Sequence, residues 1–573
     1  MNPTHNITEG KLRPTVEIHL PDGRVFSGPR GTSAGTFLEA TQNNDDDPII
    51  AVIVNGELRE LSYPIKMESA LKPVTMSTAD GARIYRRSLT FLLEYAFQQL
   101  FSDGKLTVDH SVSSGGYYCQ VDGRDQLTAE ELWMLNQRMQ AEVESDRPFL
   151  REEAPIEEAI QYFESLGLSD KVDLMKHRKK NYLTLYKLGE HKDYHHGYMV
   201  PSTGYLKWFD LQDSNGGFVL RFPRRHMPNH LLPMTTTSQL LETFRRYGNW
   251  LTRLGIENVG ALNNAIAEGR GQEIVLVSEA LHEQNIADIA RQIAKQRDEL
   301  RLILIAGPSS SGKTTFSRRL TVQLLALGIS PFPLELDNYF VDRENTPLDE
   351  NGDYDFETIE ALNLAQLAND LQKMTRGEKV RMPHFNFKKG VSEPGEEIQL
   401  RDDQLIILEG IHGMNPRLIP FELQSQAFRI YISALTQLNL DRHNRVSTTD
   451  TRLLRRIVRD ARERGYSAQA TISRWESVRR GEKRHIYPYQ ENADVMINSA
   501  LVFELSTLKR FAEPLLRQVP HGTPEYIEAK RLLAFLEWFL PLDENFVPDN
   551  SIAREFLGGS ALKTFKWWQG GRR

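Results

Sequence analysis

Gly307 and Gly312 bracket Pro308, Ser309, Ser310 and Ser311, and Lys313, Thr314 and Thr315 follow at once, the spacing G-x-x-x-x-G-K-[ST]. Glycines let a backbone curl until its N–H groups converge on an anion. A helix opening at that point adds the positive end of its dipole. The Lys313 ammonium is long enough to reach the β- and γ-phosphates of a nucleoside triphosphate, and the Thr314 hydroxyl suits Mg²⁺. The spacing therefore predicts a phosphate loop lined by residues 307–315, with ATP and Mg²⁺ as cofactors. Residues 302–306 form an apolar run before the loop and a helical pattern follows it, the context that separates such a loop from a chance Gly/Ser turn.

Further acids and arginines follow at chemically useful places. Asp337 ends the run Leu334, Glu335, Leu336, where a carboxylate can accept or orient the proton of an attacking hydroxyl. Glu409 closes the apolar run 405–408, a position suited to the shell of the metal. Residues 450–465 put Leu453, Leu454, Ile457, Val458 and Ala461 on one helical face, with Thr449 or Asp450 as the cap and Gly465 as the stop. Arg452, Arg455, Arg456, Arg459 and Arg462 then crowd the other face, with Arg464 near its end. Beside a phosphate loop, such a helix reads as a lid, because guanidinium matches phosphate oxygens in a bidentate way.

These residues need a scaffold. Runs 302–306, 333–336, 405–408, 428–432 and 495–498 alternate with helical stretches, the pattern of a parallel sheet covered on both faces. Ligands of such sheets sit at the carboxyl ends of the strands, where Gly307, Asp337 and Glu409 fall. Upstream, residues 16–20 and 49–54 read as strands, 83–101 as a helix, and 226–299 as a mostly helical connector whose stripe of Ile286, Ile289, Ala290, Ile293 and Ala294 packs on the next domain. Residues 516–573 read as a helical extension.

The 573 residues are enough for about three or four domains. A net charge of −7 argues against a general nucleic-acid coat or a membrane-surface protein. Cys119 is the single cysteine, so no intrachain disulfide forms and a reducing cytoplasm is the expected location. Residues 1–11 are polar, without a signal-peptide core, and no apolar run reaches membrane-span length.

The phosphate loop, Asp337-Asn338-Tyr339-Phe340, Tyr354-Asp355-Phe356-Glu357, Glu409-Gly410-Ile411 and Arg459-Asp460-x-x-x-Arg464-Gly465 occur in that order. Across residues 300–515 this set resembles the uridine kinase and phosphoribulokinase group. The resemblance implies transfer of the ATP γ-phosphoryl to an alcohol, in nucleoside kinases the ribose 5′-hydroxyl. It implies Asp337 as the base, Glu357 on the ribose hydroxyls with Arg456 assisting, and Arg459 and Arg464 as lid arginines. Where uridine–cytidine kinases have a tyrosine and a histidine that read the pyrimidine, the segment Pro383 to Gly390 has phenylalanine and glycine. Phe385 and Phe387 can stack on a base, and His384 is either a substitute base-reading residue or a turn histidine. Tyr466 replaces a further lid arginine. A small-molecule acceptor, most simply a nucleoside, is thus expected, but not uridine in particular.

Residues 15–75, through Leu20-Pro21-Asp22-Gly23 and Val54-Asn55-Gly56-Glu57-Leu58, resemble a TGS domain. Residues 76–225 resemble the editing domain of threonyl-tRNA synthetase through Tyr85-Arg86-Arg87-Ser88, Gly116-Tyr117-Tyr118 and Val200-Pro201-Ser202-Thr203-Gly204. The fold class expected is α/β: a phosphate-loop sheet preceded by these two α+β units. The four polar positions of the synthetase editing site correspond to Arg87, Phe91, His195 and Met199, of which only His195 keeps a nitrogen able to ligate or carry a proton, so no aminoacyl-tRNA hydrolysis by that route is expected. His191, His195 and His196 read as a solvated loop cluster, with a metal site as the alternative reading. The amino-terminal half is either a scaffold, packing on the kinase or joining a homo-oligomer, or a sensor of RNA, an amino acid or a nucleotide. Two further readings are a regulatory GTPase or ATPase, against which no N-K-x-D occurs between 300 and 573, and a translation-linked factor binding tRNA through Arg224, Arg225 and His226.

Overall fold

The computed structural model describes residues 12–41, 47–234, 238–350 and 352–566. The polar residues 1–11 and the tail residues Trp567 and Trp568 lie outside them.

The second half is built on five parallel strands in the order Ser330–Glu335, Gln404–Glu409, Leu302–Ala306, Ala427–Ser433, Val495–Asn498. All five strands expected from the sequence are present, with ends shifted by up to three residues. The sheet is covered on both faces, and side-chain alternation shows how. Ile303 and Ile305 join Phe316, Leu320 and Leu324 of the helix Lys313–Ala326, whereas Leu302 and Leu304 join Leu367 and Leu371 of the helix Leu364–Thr375. Apolar residues are therefore needed at every position of Leu302–Ala306, and all are buried. The loop at 307–312 leaves this central strand toward Ser330–Glu335 on one side, while the neighbouring Ala427–Ser433 connects outward to Val495–Asn498 on the other, the switch point where such sheets bind ligands.

One element departs from the alternating pattern. Lys379–Asn386 and Val391–Gln399 form a separate antiparallel hairpin. Pro383 pairs opposite Pro394, and charged residues run along both strands, so the segment carries little of the apolar signal of a sheet strand. His384 lies on this strand, exposed, and not in a turn.

The first half contains a five-stranded sheet, Val25–Pro29, Thr15–His19, Ser69–Thr75, Ile49–Val54, Glu57–Arg59, in which Thr15–His19 and Ser69–Thr75 are parallel. Asn55 and Gly56 turn the hairpin with φ of 49° and 83°. The helix Ala79–Leu100 follows, longer than its apolar spacing alone indicates because Thr78 caps it and accepts from the Gly81 N–H. Four- and three-stranded antiparallel sheets complete this half. Three helices, Ser238–Leu254, Val259–Ala267 and Gly271–Lys295, lead to the parallel sheet. Ile286, Ile289, Ala290 and Ile293 are buried in the same cluster as Phe316, so the expected stripe does pack on the phosphate-loop unit. Glu504–Leu516, Pro524–Leu536 and the short Arg554–Leu557 end the chain's described helices. No helix among the described residues is long and apolar enough to cross a membrane.

Candidate active site

The loop after Leu302–Ala306 turns through Ser310 at φ 58° and Gly312 at φ 87° before the helix Lys313–Ala326 begins. A Cβ on Gly312 would be strained there and would meet Ile552 at 2.6 Å. Lys313 Nζ donates to the carbonyls of Gly307 and Pro308 at 3.0 and 3.2 Å, so the lysine folds back along the loop. The Thr314 hydroxyl donates to Glu409 Oε1 at 2.7 Å, joining the two residues expected to share the metal. The Ser310 and Ser311 hydroxyls are buried without a hydrogen-bond partner.

Four carboxylates act on Lys313. Burial lowers its pKa, opposed by Glu409, Glu555, Asp337 and Glu357. Asp337 stands in a short 3₁₀ turn, Leu336–Tyr339, just past its strand. Desolvation in the cleft pushes it above the ordinary aspartate range, while Lys313 and Arg464 pull it down. Burial, helped by Glu335 and Glu555, pushes Glu409 up to about 7 against Lys313 and the Thr314 hydroxyl. Burial and Glu482 push Glu357 up to about 7 against Arg456 and Lys313. Glu357 lies directly on Gly481, where no side chain would fit, and its Oε2 is buried without a hydrogen-bond partner.

The two raised glutamates set a pH dependence. From the unfolded value of 4.5 up to about 7, the folded chain keeps protons on Glu357 and Glu409 that the unfolded chain has released. Their contribution to stability falls as pH rises through that window. Denaturant unfolding from about pH 5 to 8 is expected to show a shallower decline in the Glu357→Gln, Glu409→Gln double variant than in the parent; equal slopes would remove both groups from this role.

The arginine helix runs Thr448–Arg464, capped by Ser447 and not by Thr449 or Asp450, and stopped by Gly465 at φ 67°. Its arginines do not all share one outward face. Arg452 and Arg455 are 1% and 0% exposed. Arg452 pairs with Glu482 and donates to the Ser309 carbonyl at 2.9 Å. Arg455 pairs with Glu504 and donates to the Ser310 carbonyl at 3.3 Å. These two arginines clamp the loop from behind, because acids on neighbouring helices stand at the flanks of the apolar stripe. Arg456, Arg459 and Arg464 gather round buried Asp460 at 3.3, 3.1 and 3.4 Å, and Arg456 also donates to the Ser309 hydroxyl at 2.9 Å. Asp460 thus gathers the two expected lid arginines, Arg459 and Arg464, together with Arg456, expected beside Glu357.

Phe385 and Phe387 belong to an aromatic group with Phe340 and Phe356. Phe385 is 2% exposed whereas Phe387 is 58% exposed, so only Phe387 offers an open face. Tyr466 is exposed, with the Arg474 guanidinium over its ring.

Two carboxylates absent from the sequence reading also touch the loop. Glu482 accepts from the Ser309 N–H at 3.0 Å. Glu555, on the last short helix, accepts from the Thr315 N–H and hydroxyl at 3.2 and 2.9 Å. No local motif marks either residue; each is 170 or more positions away in sequence and arrives only through tertiary packing.

In the amino-terminal half, Phe91 and Met199 are buried and apolar, and Arg87 donates to the Tyr198 carbonyl at 2.5 Å. His195 is not solvated as its loop position suggests: it is 3% exposed and bonded to Glu94.

Residues 302–505 match the model of the Phosphoribulokinase / Uridine kinase family. The amino-terminal region is similar to threonine–tRNA ligases: 32% identity over 206 residues to that of Acidovorax sp. (strain JS42), covering 35% of this chain and 32% of the relative. The ligase of Polaromonas naphthalenivorans (strain CJ2) is 33% identical over 211 residues, with the same coverages. This chain thus spans about a third of the length of these curated relatives. The solved structure of a possible uridine kinase from Bacillus stearothermophilus aligns with a TM-score of 0.22 at 21% identity, covering 26% of this chain and 79% of that one.

Proposed function

We propose that the phosphate-loop region is a kinase that transfers the γ-phosphoryl group of ATP to the hydroxyl of a small molecule, and that this hydroxyl is the ribose 5′-OH of a nucleoside. The observation that carries the reading is the meeting of Lys313, Asp337, Glu409 and Glu357 at the carboxyl edge of the sheet, with Arg464 acting on Asp337. The match of residues 302–505 to a kinase family supports it.

In this reading Asp337 takes the hydroxyl proton. The acceptor oxygen bonds to the γ-phosphorus as the bridge to the β-phosphate breaks, and ADP leaves. Lys313, Arg459 and Arg464 carry the charge spread over the phosphoryl oxygens. Thr314 and Glu409 are the residues that would hold Mg²⁺, which when bound neutralises phosphate charge. Glu357, with its free Oε2, and Arg456 hold the ribose hydroxyls. The enclosure of Phe385 leaves few groups to read a base edge, which favours a broad nucleoside range or a non-nucleoside alcohol over strict uridine selection.

Measuring ATP consumption over nucleosides, ribose phosphates and other small alcohols tests this directly. A nucleoside that consumes ATP and yields its 5′-phosphate supports the full reading; a non-nucleoside product supports only the kinase. Triphosphate hydrolysis without any acceptor would overturn both in favour of a regulatory NTPase.

Glu555 gives a separate expectation. It holds the N–H and hydroxyl of Thr315, groups that a nucleotide phosphate needs. Glu555→Ala is expected to tighten ATP binding about tenfold, since a charge-assisted contact is worth about 1.5–3 kcal/mol. Calorimetric titration reads this, and unchanged or weaker binding would remove Glu555 as a competitor.

A further inference from the structure

Outside the phosphate loop, a cluster of nitrogen and oxygen donors lies where the amino-terminal half meets the loop leading into the arginine helix. Glu94 comes from the helix Ala79–Leu100, Asp193 ends the strand His191–Asp193, and His195 follows two residues on. His443 comes from the connection between Ala427–Ser433 and Thr448–Arg464. Glu94 Oε2 lies 3.1 Å from His195 Nε2 and 3.3 Å from His443 Nδ1, and Asp193 Oδ2 lies 3.0 Å from His443 Nδ1. Glu94, Asp193 and His195 are each 3% exposed or less. The edge of the Phe91 ring meets His195 and helps keep the place dry.

We propose that Glu94, Asp193 and His195 bind one divalent transition-metal ion of the zinc class, with His443 hydrogen-bonded beside them. One ligand atom from each of the three lies within 4.8 Å of the other two, near the roughly 3.3 Å that zinc bonds of about 2.0–2.2 Å set between neighbouring donors. Two carboxylates with an imidazole are a zinc-type donor set. The other Asp193 oxygen is already bound by Lys171 Nζ at 2.9 Å and the Tyr194 N–H at 2.6 Å, which turns Oδ2 toward the cluster. The His443 N–H donates to Asp441, fixing the backbone that presents the imidazole.

Two independent observations call for a cation. First, Glu94, Asp170, Asp193 and Asp441 are buried carboxylates, whereas the fixed cations paired with them are Lys171 and Arg442. The difference, two negative charges in a dry setting, matches one dication. Second, Glu94 Oε1 has no hydrogen-bond partner although Glu94 is buried. His191 adds to this: its Nδ1 bonds Gln98 Oε1 at 2.7 Å, leaving an unpartnered Nε2 that faces Glu94 Oε2 at 3.9 Å. With Nδ1 as the donor to Gln98, His191 Nε2 and Glu94 Oε2 are two acceptors facing each other, which a positive charge nearby relieves. The rival resolution is protonation of the imidazoles, and it leaves no metal in the protein.

The bound ion would tie residue 94 to residues 193 and 195 and fix the two carboxylates that His443, at the root of the lid, contacts. The test uses the untagged full-length chain. Elemental analysis of protein from zinc-supplemented culture is expected to find about one zinc per chain. Zinc added to chelator-stripped protein is expected to raise Tm, and Co²⁺ in its place to give visible d–d absorption. Glu94→Gln, nearly isosteric, and His195→Ala are expected to weaken zinc binding by more than the roughly 10–100-fold that loss of an outer partner costs. Lys313→Ala is expected to keep the zinc. Metal-free protein whose Tm ignores zinc would overturn the site, and so would full zinc retention by both cluster variants.

Discussion

Replacing Asp337 by asparagine is expected to leave a folded protein whose phosphoryl transfer falls by about 10²–10³-fold, the usual cost of one well-placed catalytic contact. The substitution keeps side-chain volume and hydrogen-bonding reach but removes the proposed proton acceptor. Asp337 sits in a short turn outside the hydrophobic core, so little stability depends on it. Its field is shared with Lys313 and Arg464, and the loss should fall on kcat more than on KM for ATP, because in the proposed mode the nucleotide lies on the loop. Steady-state kinetics on the acceptor found by screening, with circular dichroism to confirm the fold, measure it. Near-normal turnover by the asparagine variant would take Asp337 out of the base role and shift attention to Glu357. Lys313→Ala should instead damage ATP binding and turnover together.

The second large effect is on stability. Arg455 and Glu504 are 0% and 1% exposed, and their second contact, Nη2 to Oε2, is 2.7 Å. Arg455 also donates to the Ser499 carbonyl and hydroxyl and to the loop carbonyl of Ser310. Glu504→Ala leaves a guanidinium without its counter-charge in the core, and breaking a buried pair from one side costs about 3–5 kcal/mol. Urea or guanidinium unfolding should show that loss as a fall in midpoint at similar slope. Because Arg455 holds the loop, the variant should also bind ATP more weakly when measured well below its melting temperature. A loss under about 1 kcal/mol, the usual ceiling for an exposed pair, would mean that the pair is hydrated in solution. Arg462→Ala, at a partly exposed position, serves as the small-effect comparison.

The same helix separates what was legible from what was not. Periodicity located Leu453, Leu454, Ile457 and Val458 on one face, and those four are buried. The same periodicity put every arginine opposite them, yet Arg452 and Arg455 are interior. Burying a guanidinium is tolerable only where a carboxylate waits, and Glu482 and Glu504 lie 30 and 49 residues further on. No window of local sequence can pair charges across that distance. The histidines show the same limit. A loop of His191, His195 and His196 reads as solvated until Glu94, about a hundred residues before His195, and His443, 250 residues after Asp193, close over it.

The chain by itself determined whatever depends on near neighbours. Strand periods, the glycines of the phosphate loop, Asp337 and Glu409 at strand ends, and the stop at Gly465 are all local, because φ/ψ preferences and apolar alternation act over a few residues. Only the tertiary structure decided which acids the arginines meet, that Glu482 and Glu555 occupy N–H groups of the loop, and that four donors from three separate segments converge near Glu94. Electrostatic and hydrogen-bond partners are chosen by distance in space, and the folded path of the chain sets that distance.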